Sequence, residues 1–229
     1  LNLILQSSER NDFESIDKLT DGLQQVFQTL KYCNFPVVAA PYGLVLGGGM
    51  EMIGGCDLRV VAAESYIGLV EVGVGLIPGA GGNLRMLSNL SKKMKTGITG
   101  SLPLVQKAFE TIGFAKVATS AIQAKSYGYL IPDDVVVINR DYILSEAKNQ
   151  IIKLSDNYKP VEPETFKLPG SAGRIALEVA IKGFVKSGKI SSHDAFIANK
   201  LAYVLTGGKK AGPFTPVDEQ YLLAVSYTH

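Results

Sequence analysis

The sequence predicts an α/β fold that is followed by a helical C-terminal region. A short, continuously apolar run at residues 36–40, a mostly apolar run at 58–63 and the β-branched run at 135–138 have the length and composition of strands. Segments in which apolar side chains recur with helical spacing alternate with these runs, as is typical of α/β proteins. After residue 170 only helical patterns follow.

The chain is expected to divide at a stretch that contains three prolines. We predict a core at residues 1–159, a proline-rich linker at 160–170 and the helical region at 171–229. Within the core, residues 12–32 are expected to form an amphipathic helix with one buried apolar face. Further helices are expected at 83–90, in most of 101–127, at 141–154, from Ser191 or Ser192 to Leu205, and from Val217 onward.

Composition excludes several classes of protein. A net charge of +2 leaves no electrostatic footprint for nucleic acid, and the one basic run, residues 92–95, is interpreted as a solvated helix end. No apolar run reaches the roughly 20 residues that span a bilayer. Cys33 and Cys56 are the only cysteines, which favours a reducing, cytoplasmic location, and Cys56 is expected to be a buried small residue. No metal site is predicted.

A glycine turn at residues 47–49 is expected to open a helix in which Glu51 occupies the first turn. Free backbone N–H groups at a helix start carry partial positive charge and can hold an oxyanion. The alternative is that Glu51 only stabilises the helix N-terminus, as acidic residues do there. The residues alone leave both interpretations open.

Glu71 is the only charged side chain between Glu64 and Arg85. A carboxyl group in such an apolar segment has its charged form disfavoured, which moves its pKa toward the range of general acid–base catalysis. The alternative is a loop carboxylate that is paired with Arg59 or Arg85. A dinucleotide-binding loop is disfavoured, because Pro78 stands where a third glycine is required.

Several fixed spacings agree with one known family. Residues 36–40, 47–51, 56–59, 68–71 and 75–82 resemble the signature of the crotonase (enoyl-CoA hydratase/isomerase) superfamily. Flanking segments resemble a fused type, in which a 3-hydroxyacyl-CoA dehydrogenase precedes a C-terminal hydratase module. These less specific segments are residues 115–121, 139–141, 168–170, 192–194 and 201–204.

The resemblance implies a spiral of ββα turns, incomplete at its N-terminus, and frequent trimeric assembly. It implies that Glu71 exchanges the α proton of the acyl chain, that Glu51 binds and activates water, and that the Gly48 N–H is an oxyanion donor. The remaining positions that match the family's substrate-binding segment are Leu46, Gly47, Gly49, Met50, Leu69, Ile77, Pro78 and Gly79. Coenzyme A enters only as part of the substrate, and NAD belongs only to the dehydrogenase domain of the fused type.

The expected activity is therefore hydration of a 2-trans-enoyl-CoA to a 3-hydroxyacyl-CoA in fatty-acid β-oxidation, within a larger enzyme that has an upstream dehydrogenase domain. The alternatives are an enoyl-CoA isomerase or another crotonase-type reaction, and a non-catalytic CoA-binding or assembly module. The family's second oxyanion donor is expected upstream of Leu1, so low activity is expected of this chain alone. Residues 224–229 do not resemble the family and are expected to be foreign, and His193 is expected to cap or pack.

Overall fold

The computed structural model describes residues 2–94, 100–212 and 215–227. Lys95 of the basic run and residues 228–229 of the segment expected to be foreign lie outside the described residues. The helices are α1 (Asn2–Glu9), α2 (Phe13–Lys31), α3 (Gly48–Gly54), α4 (Gly82–Lys93), α5 (Leu102–Gly113), α6 (Ala121–Tyr127), α7 (Ile143–Ser155), α8 (Gly170–Lys186), α9 (Ser192–Leu205) and α10 (Glu219–Tyr227), with 3-10 helices at Glu71–Val74 and Arg140–Tyr142. The strands are β1 (Val38–Ala39), β2 (Leu44–Leu46), β3 (Leu58–Ala62), β4 (Tyr66–Gly68), β5 (Val135–Val137), β6 (Thr165–Phe166) and β7 (Val217–Asp218).

Two small parallel sheets form the centre of the structure. One has the strand order β1-β3-β5, with Val38 opposite Leu58 and Val60 opposite Val135. The other pairs β2 with β4, so that Leu46 lies opposite Gly68. Parallel neighbours need crossover connections, which α3 and α4–α6 supply here. The predicted alternation of strands and helices, and the helical C-terminal region, are confirmed.

Strand β3 is buried on both of its faces. Val61 packs in the main hydrophobic core, whereas Val60 and Ala62 pack against Ile143 and Ala147 of α7. Successive side chains of a strand point to opposite sides, so each side has its own apolar neighbours. This explains why Val60, Val61 and Ala62 are apolar in succession, with no polar face to alternate with.

Helix α2 has the predicted position but not the predicted buried face. The residues that it buries are Gln24, Phe27 and Lys31, while Phe13 and Val26 remain 58% and 56% exposed. The buried stripe is therefore rotated around the helix from the one that apolar spacing predicted. The physical reason is that Gln24 meets backbone carbonyl groups of the neighbouring segments, which require a donor rather than an apolar contact.

The C-terminal region contains one correction to the expected elements. Val217 does not begin the last helix; it forms β7, which pairs antiparallel with β6 and places Val217 opposite Phe166. Helix α9 begins as predicted, because Ser191 accepts a hydrogen bond from the Asp194 N–H and Asp194 accepts one from the Ser191 N–H. No helix in the described part of the chain is long and apolar enough to cross a membrane.

A buried ion pair fixes β3 to the segment that precedes β5. Arg59 and Asp134 are 3% and 2% exposed, and Arg59 Nη2 lies 2.7 Å from Asp134 Oδ2. The Asp134 carboxylate also accepts hydrogen bonds from the backbone N–H groups of Arg59 and Ile131. The Arg59 guanidinium also donates to the Cys56 carbonyl at 3.3 Å, but its only ion-pair partner among the described residues is Asp134, so removal of either charge leaves the other buried and unpaired.

We expect Asp134→Ala to lower the free energy of unfolding by about 3–5 kcal/mol, because it leaves the buried Arg59 charge without its partner. Asp133→Ala is the matched control: Asp133 is exposed, and its removal is expected to change stability by less than about 0.5 kcal/mol. Urea unfolding followed by circular dichroism measures both. Equal losses for the two variants would contradict the assignment.

Candidate active site

The glycine turn at residues 47–49 joins β2 to α3. Gly47 has φ 54° and ψ −124°, a left-handed conformation that favours glycine. The N–H groups of Met50 and Glu51 donate to the Gly47 carbonyl, whereas Gly48 and Gly49, as the first helical residues, have no acceptor within the helix. Both are exposed, and a side-chain carbon added to either would meet no atom within 4 Å. The turn thus offers two backbone donors beside open space.

Glu51 is buried and is held by the start of a different helix. Its side chain is 5% exposed, and its Oε1 atom accepts hydrogen bonds from the N–H groups of Ala80 at 2.9 Å and Gly82 at 2.8 Å. Gly82 is the first residue of α4, so the carboxylate caps α4 as well as occupying the first turn of α3. Burial raises the pKa of Glu51, and the two N–H groups oppose that rise without cancelling it.

Gly82 allows the approach of the Glu51 carboxylate. A side-chain carbon at this position would lie 2.7 Å from Leu69 Cδ2 and 3.1 Å from Glu51 Oε1. Such distances are too short for a real contact with the Leu69 methyl group, and the buried carboxylate has little room to move. Glycine is therefore required here for close packing rather than for a positive φ.

Glu71 has no partner for its carboxylate among the residues that the structure describes. Both carboxylate oxygens are buried without a hydrogen bond. Burial, followed by the charge of Glu51, raises the pKa of Glu71 to about 7. The interpretation of Glu71 as an ion-pair partner of Arg59 or Arg85 is wrong, because Arg59 pairs with Asp134 and Arg85 contacts Glu219 and Gln28.

The two carboxylates belong to one neighbourhood that includes the glycine turn. A side-chain carbon at Gly47 would lie 3.4 Å from Glu71 Oε1, so this carboxylate sits against the turn. The charge of Glu51 is among the causes that raise the pKa of Glu71. The arrangement combines an oriented carboxylate, a carboxyl group that exchanges protons near neutral pH, and free backbone donors. That set of groups suits proton transfer at a carbon next to a carbonyl group.

Comparison with known proteins agrees with this chemistry. The enoyl-CoA hydratase/isomerase family profile matches residues 5–125, more than half of the chain. The chain belongs to this family. The crotonase-type fold that the sequence motifs implied is confirmed by the crystal structure of an enoyl-CoA hydratase from Bacillus anthracis, which has a TM-score of 0.51 and 25% identity over 84% of this chain and 62% of that one.

Two curated relatives carry names that refer to larger enzymes. A probable 3-hydroxyacyl-CoA dehydrogenase of Bacillus subtilis (strain 168) is 40% identical over 98% of this chain and 28% of that protein. A putative fatty acid oxidation complex trifunctional enzyme of Rickettsia felis is 33% identical over 74% of this chain and 22% of that protein. The chain thus spans about a quarter of the length of these relatives.

The other sequence-predicted site residues lie on the chain segments that flank Glu51 and Glu71. In the described part of the chain, no single pocket is lined by all of them. Met50 and Leu69 are 3% and 2% exposed and belong to the main core. Together with Gly82 they line a cavity of about 10 Å³, the space of a single water molecule. The remaining predicted positions lie at the ends of the same segments: Leu46 at the end of β2, and Ile77, Pro78 and Gly79 in the loop before α4.

Sequence reasoning missed the groups that hold Glu51. Ala80 and Gly82 contribute backbone donors, and the Asn83 amide donates to the Pro78 carbonyl at 2.7 Å. The glycine pair before α4 was a readable signal, because it marks a helix start with close backbone approach. The role of Asn83 had no comparable signal, since an amide side chain is equally common on a helix surface.

An apolar pocket of about 220 Å³ begins next to Glu71 in the chain. Val72 and Gly73, which follow Glu71 in the same 3-10 helix, form one side of it. The other sides come mainly from apolar residues of α5, α8 and α9 and of the segments beside them: Phe109, Phe114, Ile181, Phe184, Ile190 and Ala198. A larger cleft of about 610 Å³ between α2 and α10 includes neither glutamate in its lining.

His193 and Cys56 have no catalytic setting. His193 is exposed near the start of α9, and its ring stacks on Phe196 with a centroid distance of 6.5 Å. Cys56 is buried, which raises the pKa of its thiol to about 11 and disfavours the reactive thiolate. Within the described ranges, no group of three or more His, Cys, Asp or Glu residues is arranged to hold a metal ion.

The unpartnered Glu71 should make the stability of the protein depend on pH. Its carboxyl has an ordinary pKa of 4.5 when unfolded and about 7 when folded. As pH rises between these values the unfolded chain loses its proton first, so the folded state is progressively disfavoured. We expect Glu71→Gln to be more stable than the wild type by up to about 3 kcal/mol at pH 8, with no difference near pH 4.

Urea unfolding at both pH values measures this difference. Glu64→Gln is the control, because Glu64 is exposed and its replacement is expected to leave the pH dependence unchanged. A Glu71→Gln variant with the same pH dependence as the wild type would show that Glu71 is solvated or paired.

Proposed function

We propose that the chain binds a 2-enoyl-CoA thioester and catalyses the addition of water to its double bond. The single observation that carries this proposal is the buried, unpartnered Glu71 carboxyl, whose pKa of about 7 and position against the glycine turn suit it to proton transfer at a thioester α carbon. The name of the Bacillus anthracis structure, an enoyl-CoA hydratase, supports the same reaction.

In the proposed mechanism the two glutamates have different tasks. The protonated Glu71 donates a proton to the α carbon, and the Glu51 carboxylate takes a proton from the water whose oxygen forms a bond to the β carbon. Negative charge that develops on the thioester oxygen is stabilised by the Gly48 N–H. The reaction consumes one water molecule, and the two carboxyl groups regain their starting states by exchanging protons with solvent.

The environments of the two glutamates support this division of labour. Burial raises the pKa of both glutamates, but only Glu51 accepts two short hydrogen bonds from the N–H groups of Ala80 and Gly82, which fix its orientation and oppose that rise. Of the two, Glu51 is therefore the one proposed to accept a proton from water. The Glu71 oxygens have no hydrogen bond of ordinary geometry, and the backbone N–H groups of Val70 and Glu71 oppose the rise of its pKa only in part, so at a pKa of about 7 both its protonated and its charged form are populated at neutral pH. Paired carboxyl groups with such different surroundings are the usual basis for assigning an acid and a base.

We propose further that the chain belongs to a larger protein. The relatives named as a 3-hydroxyacyl-CoA dehydrogenase and as a trifunctional enzyme support a larger, multifunctional enzyme of fatty-acid β-oxidation. An upstream dehydrogenase domain would use NAD to oxidise the 3-hydroxyacyl-CoA that hydration produces, whereas the present chain needs no cofactor of its own. A cytoplasmic location and homo-oligomeric assembly are part of the same proposal.

Replacement of either glutamate tests the mechanism. We expect Glu71→Gln to lower kcat for hydration of crotonyl-CoA by about 10²–10⁴, the usual contribution of a general acid–base. Glu51→Gln should lower hydration comparably but spare double-bond isomerisation of a 3-enoyl-CoA, which needs no water. Absorbance of the conjugated thioester follows both reactions, and Glu64→Gln, an exposed position, is the matched control.

The outcomes separate the three candidate functions. Hydration that is insensitive to Glu51→Gln would favour an isomerase or another reaction of the family. A wild-type chain that binds acyl-CoA in calorimetry but shows no turnover of either substrate would favour a CoA-binding or assembly module.

The apolar pocket behind Glu71 is our candidate site for the distal part of the acyl chain. Gly73 lies at its edge, has an ordinary φ, and would bring an added side-chain carbon only to 3.9 Å from Ala115 Cβ. Gly73→Leu is therefore expected to shorten the pocket without disturbing the core. Since each buried methylene contributes about 0.8 kcal/mol, the loss of two or three contacts should lower kcat/KM for octenoyl-CoA by about 10–50-fold.

Crotonyl-CoA is the internal reference for this variant, because its short chain does not reach the pocket and its kcat/KM is expected to stay within about twofold. Gly183→Leu is the matched control, since Gly183 is an exposed position of α8 with open space around it. Equal losses for both substrates would place the acyl chain elsewhere.

A further inference from the structure

A single peptide group connects Gln24 of α2 to the carboxylate of Glu51. Gln24 is 5% exposed, and its Nε2 atom donates a hydrogen bond to the Gly79 carbonyl at 2.6 Å. The Gly79 carbonyl and the Ala80 N–H belong to the same peptide group, and that N–H donates to Glu51 Oε1 at 2.9 Å. The side-chain amide and the carboxylate therefore hold opposite ends of one planar unit.

This arrangement gives Gln24 influence over the direction of the Ala80 N–H bond. A peptide group is planar and trans, so a restraint on its C=O direction also sets its N–H direction. The loop itself does not supply this restraint, because Gly79 and Gly81 flank Ala80 and glycine has wide conformational freedom. A hydrogen bond to the carbonyl oxygen also polarises the peptide and makes its N–H a stronger donor.

The neighbouring peptide group is anchored in the same manner but from within the loop. Asn83 is 1% exposed and donates to the Pro78 carbonyl at 2.7 Å. Asn83 lies only five residues further along the chain, whereas Gln24 comes from a helix 55 residues earlier. Gln24 therefore ties the position of the loop, and with it the Glu51 carboxylate, to helix α2.

We propose that Gln24 is a positioning residue for Glu51: through the peptide group between Gly79 and Ala80 it fixes the orientation and the proton affinity of that carboxylate. The effect of Gln24 on catalysis rests on the proposed function, in which Glu51 activates the water, but its effect on the carboxylate does not. Its buried amide explains why α2 turns a polar residue toward the loop where apolar spacing predicted a hydrophobic face. The second hydrogen bond of Nε2, to the Leu223 carbonyl at 3.1 Å, holds the amide between α2 and α10.

The replacement Gln24→Met tests the proposal, because methionine has nearly the same shape and lacks the donor. We expect the Ala80 amide proton to exchange with solvent at least tenfold faster, and the pKa of Glu51, measured by NMR of carboxyl-labelled glutamate, to rise. We also expect kcat for hydration to fall about 5–10-fold, the effect of one hydrogen bond, with KM within twofold. The limb of the pH profile that follows Glu51 should move to higher pH.

Gln25→Met is the matched control, since Gln25 is the exposed neighbour and donates only to Asp21 of its own helix. A purely structural role for Gln24 would lower the melting temperature while leaving Ala80 exchange in the folded state and the Glu51 titration unchanged, and that result would overturn the proposal. If the wild-type chain does not hydrate crotonyl-CoA, the proposed function fails, and the two NMR measurements still decide the role of Gln24.

A measurement on the unmodified protein covers the case in which Gln24→Met does not fold. The side-chain amide protons of Gln24 should shift during a pH titration with the same midpoint as the Glu51 carboxyl carbon, because one polarised peptide links them. Gln24 amide protons that are insensitive to the ionisation of Glu51 would also overturn the proposal.

Discussion

The pair of hydrogen bonds from Ala80 and Gly82 to Glu51 Oε1 is the interaction on which the candidate site depends. It joins the first turn of α3 to the first turn of α4, and so connects the glycine turn with the loop that follows the 3-10 helix of Glu71. The burial of Glu51 is tolerable because these donors replace water, although they do not fully compensate for its loss. The close approach requires glycine at position 82, whereas Gly75 and Gly81 of the same segment have the positive φ angles that favour glycine.

Glu71 differs from Glu51, because neither of its buried carboxylate oxygens accepts a hydrogen bond of ordinary geometry. Burial raises the pKa of Glu71, the neighbouring Glu51 charge adds to the rise, and the backbone N–H groups of Val70 and Glu71 oppose it only in part. Such a group reduces stability at neutral pH, and groups with strongly shifted pKa values cluster at functional sites. The burial of Glu71 thus destabilises the fold at neutral pH, whereas the burial of Glu51 is partly compensated by two backbone N–H donors.

The sequence predicted most of the fold, and it singled out Glu51 and Glu71 as the candidate carboxylates that the structure places in one neighbourhood. The apolar runs located β1, β3 and β5, and the isolation of Glu71 in an apolar segment indicated its raised pKa. The prediction of the buried face of α2 was wrong. The spacing of apolar residues indicates which side chains avoid water, but it cannot show that the backbone carbonyls of Gly79 and Leu223 accept hydrogen bonds from Gln24. The ion-pair partners of Arg59 and Arg85 could not be predicted from the sequence either, because Asp134 and Glu219 lie 75 and 134 residues further along the chain.

The position of Asp134 has a consequence for how the protein forms during synthesis. Strand β3 needs both β5 and the Asp134 carboxylate, yet Arg59 precedes that carboxylate by 75 residues. At about 5–20 residues per second, a ribosome takes roughly 4–15 s to make the intervening segment. During that interval β3 lacks its β5 neighbour and Arg59 its counter-charge, so the nascent chain exposes an incomplete sheet edge that is open to wrong partners. A short strand that contributes no residue to the candidate site thus completes the sheet that contains β3.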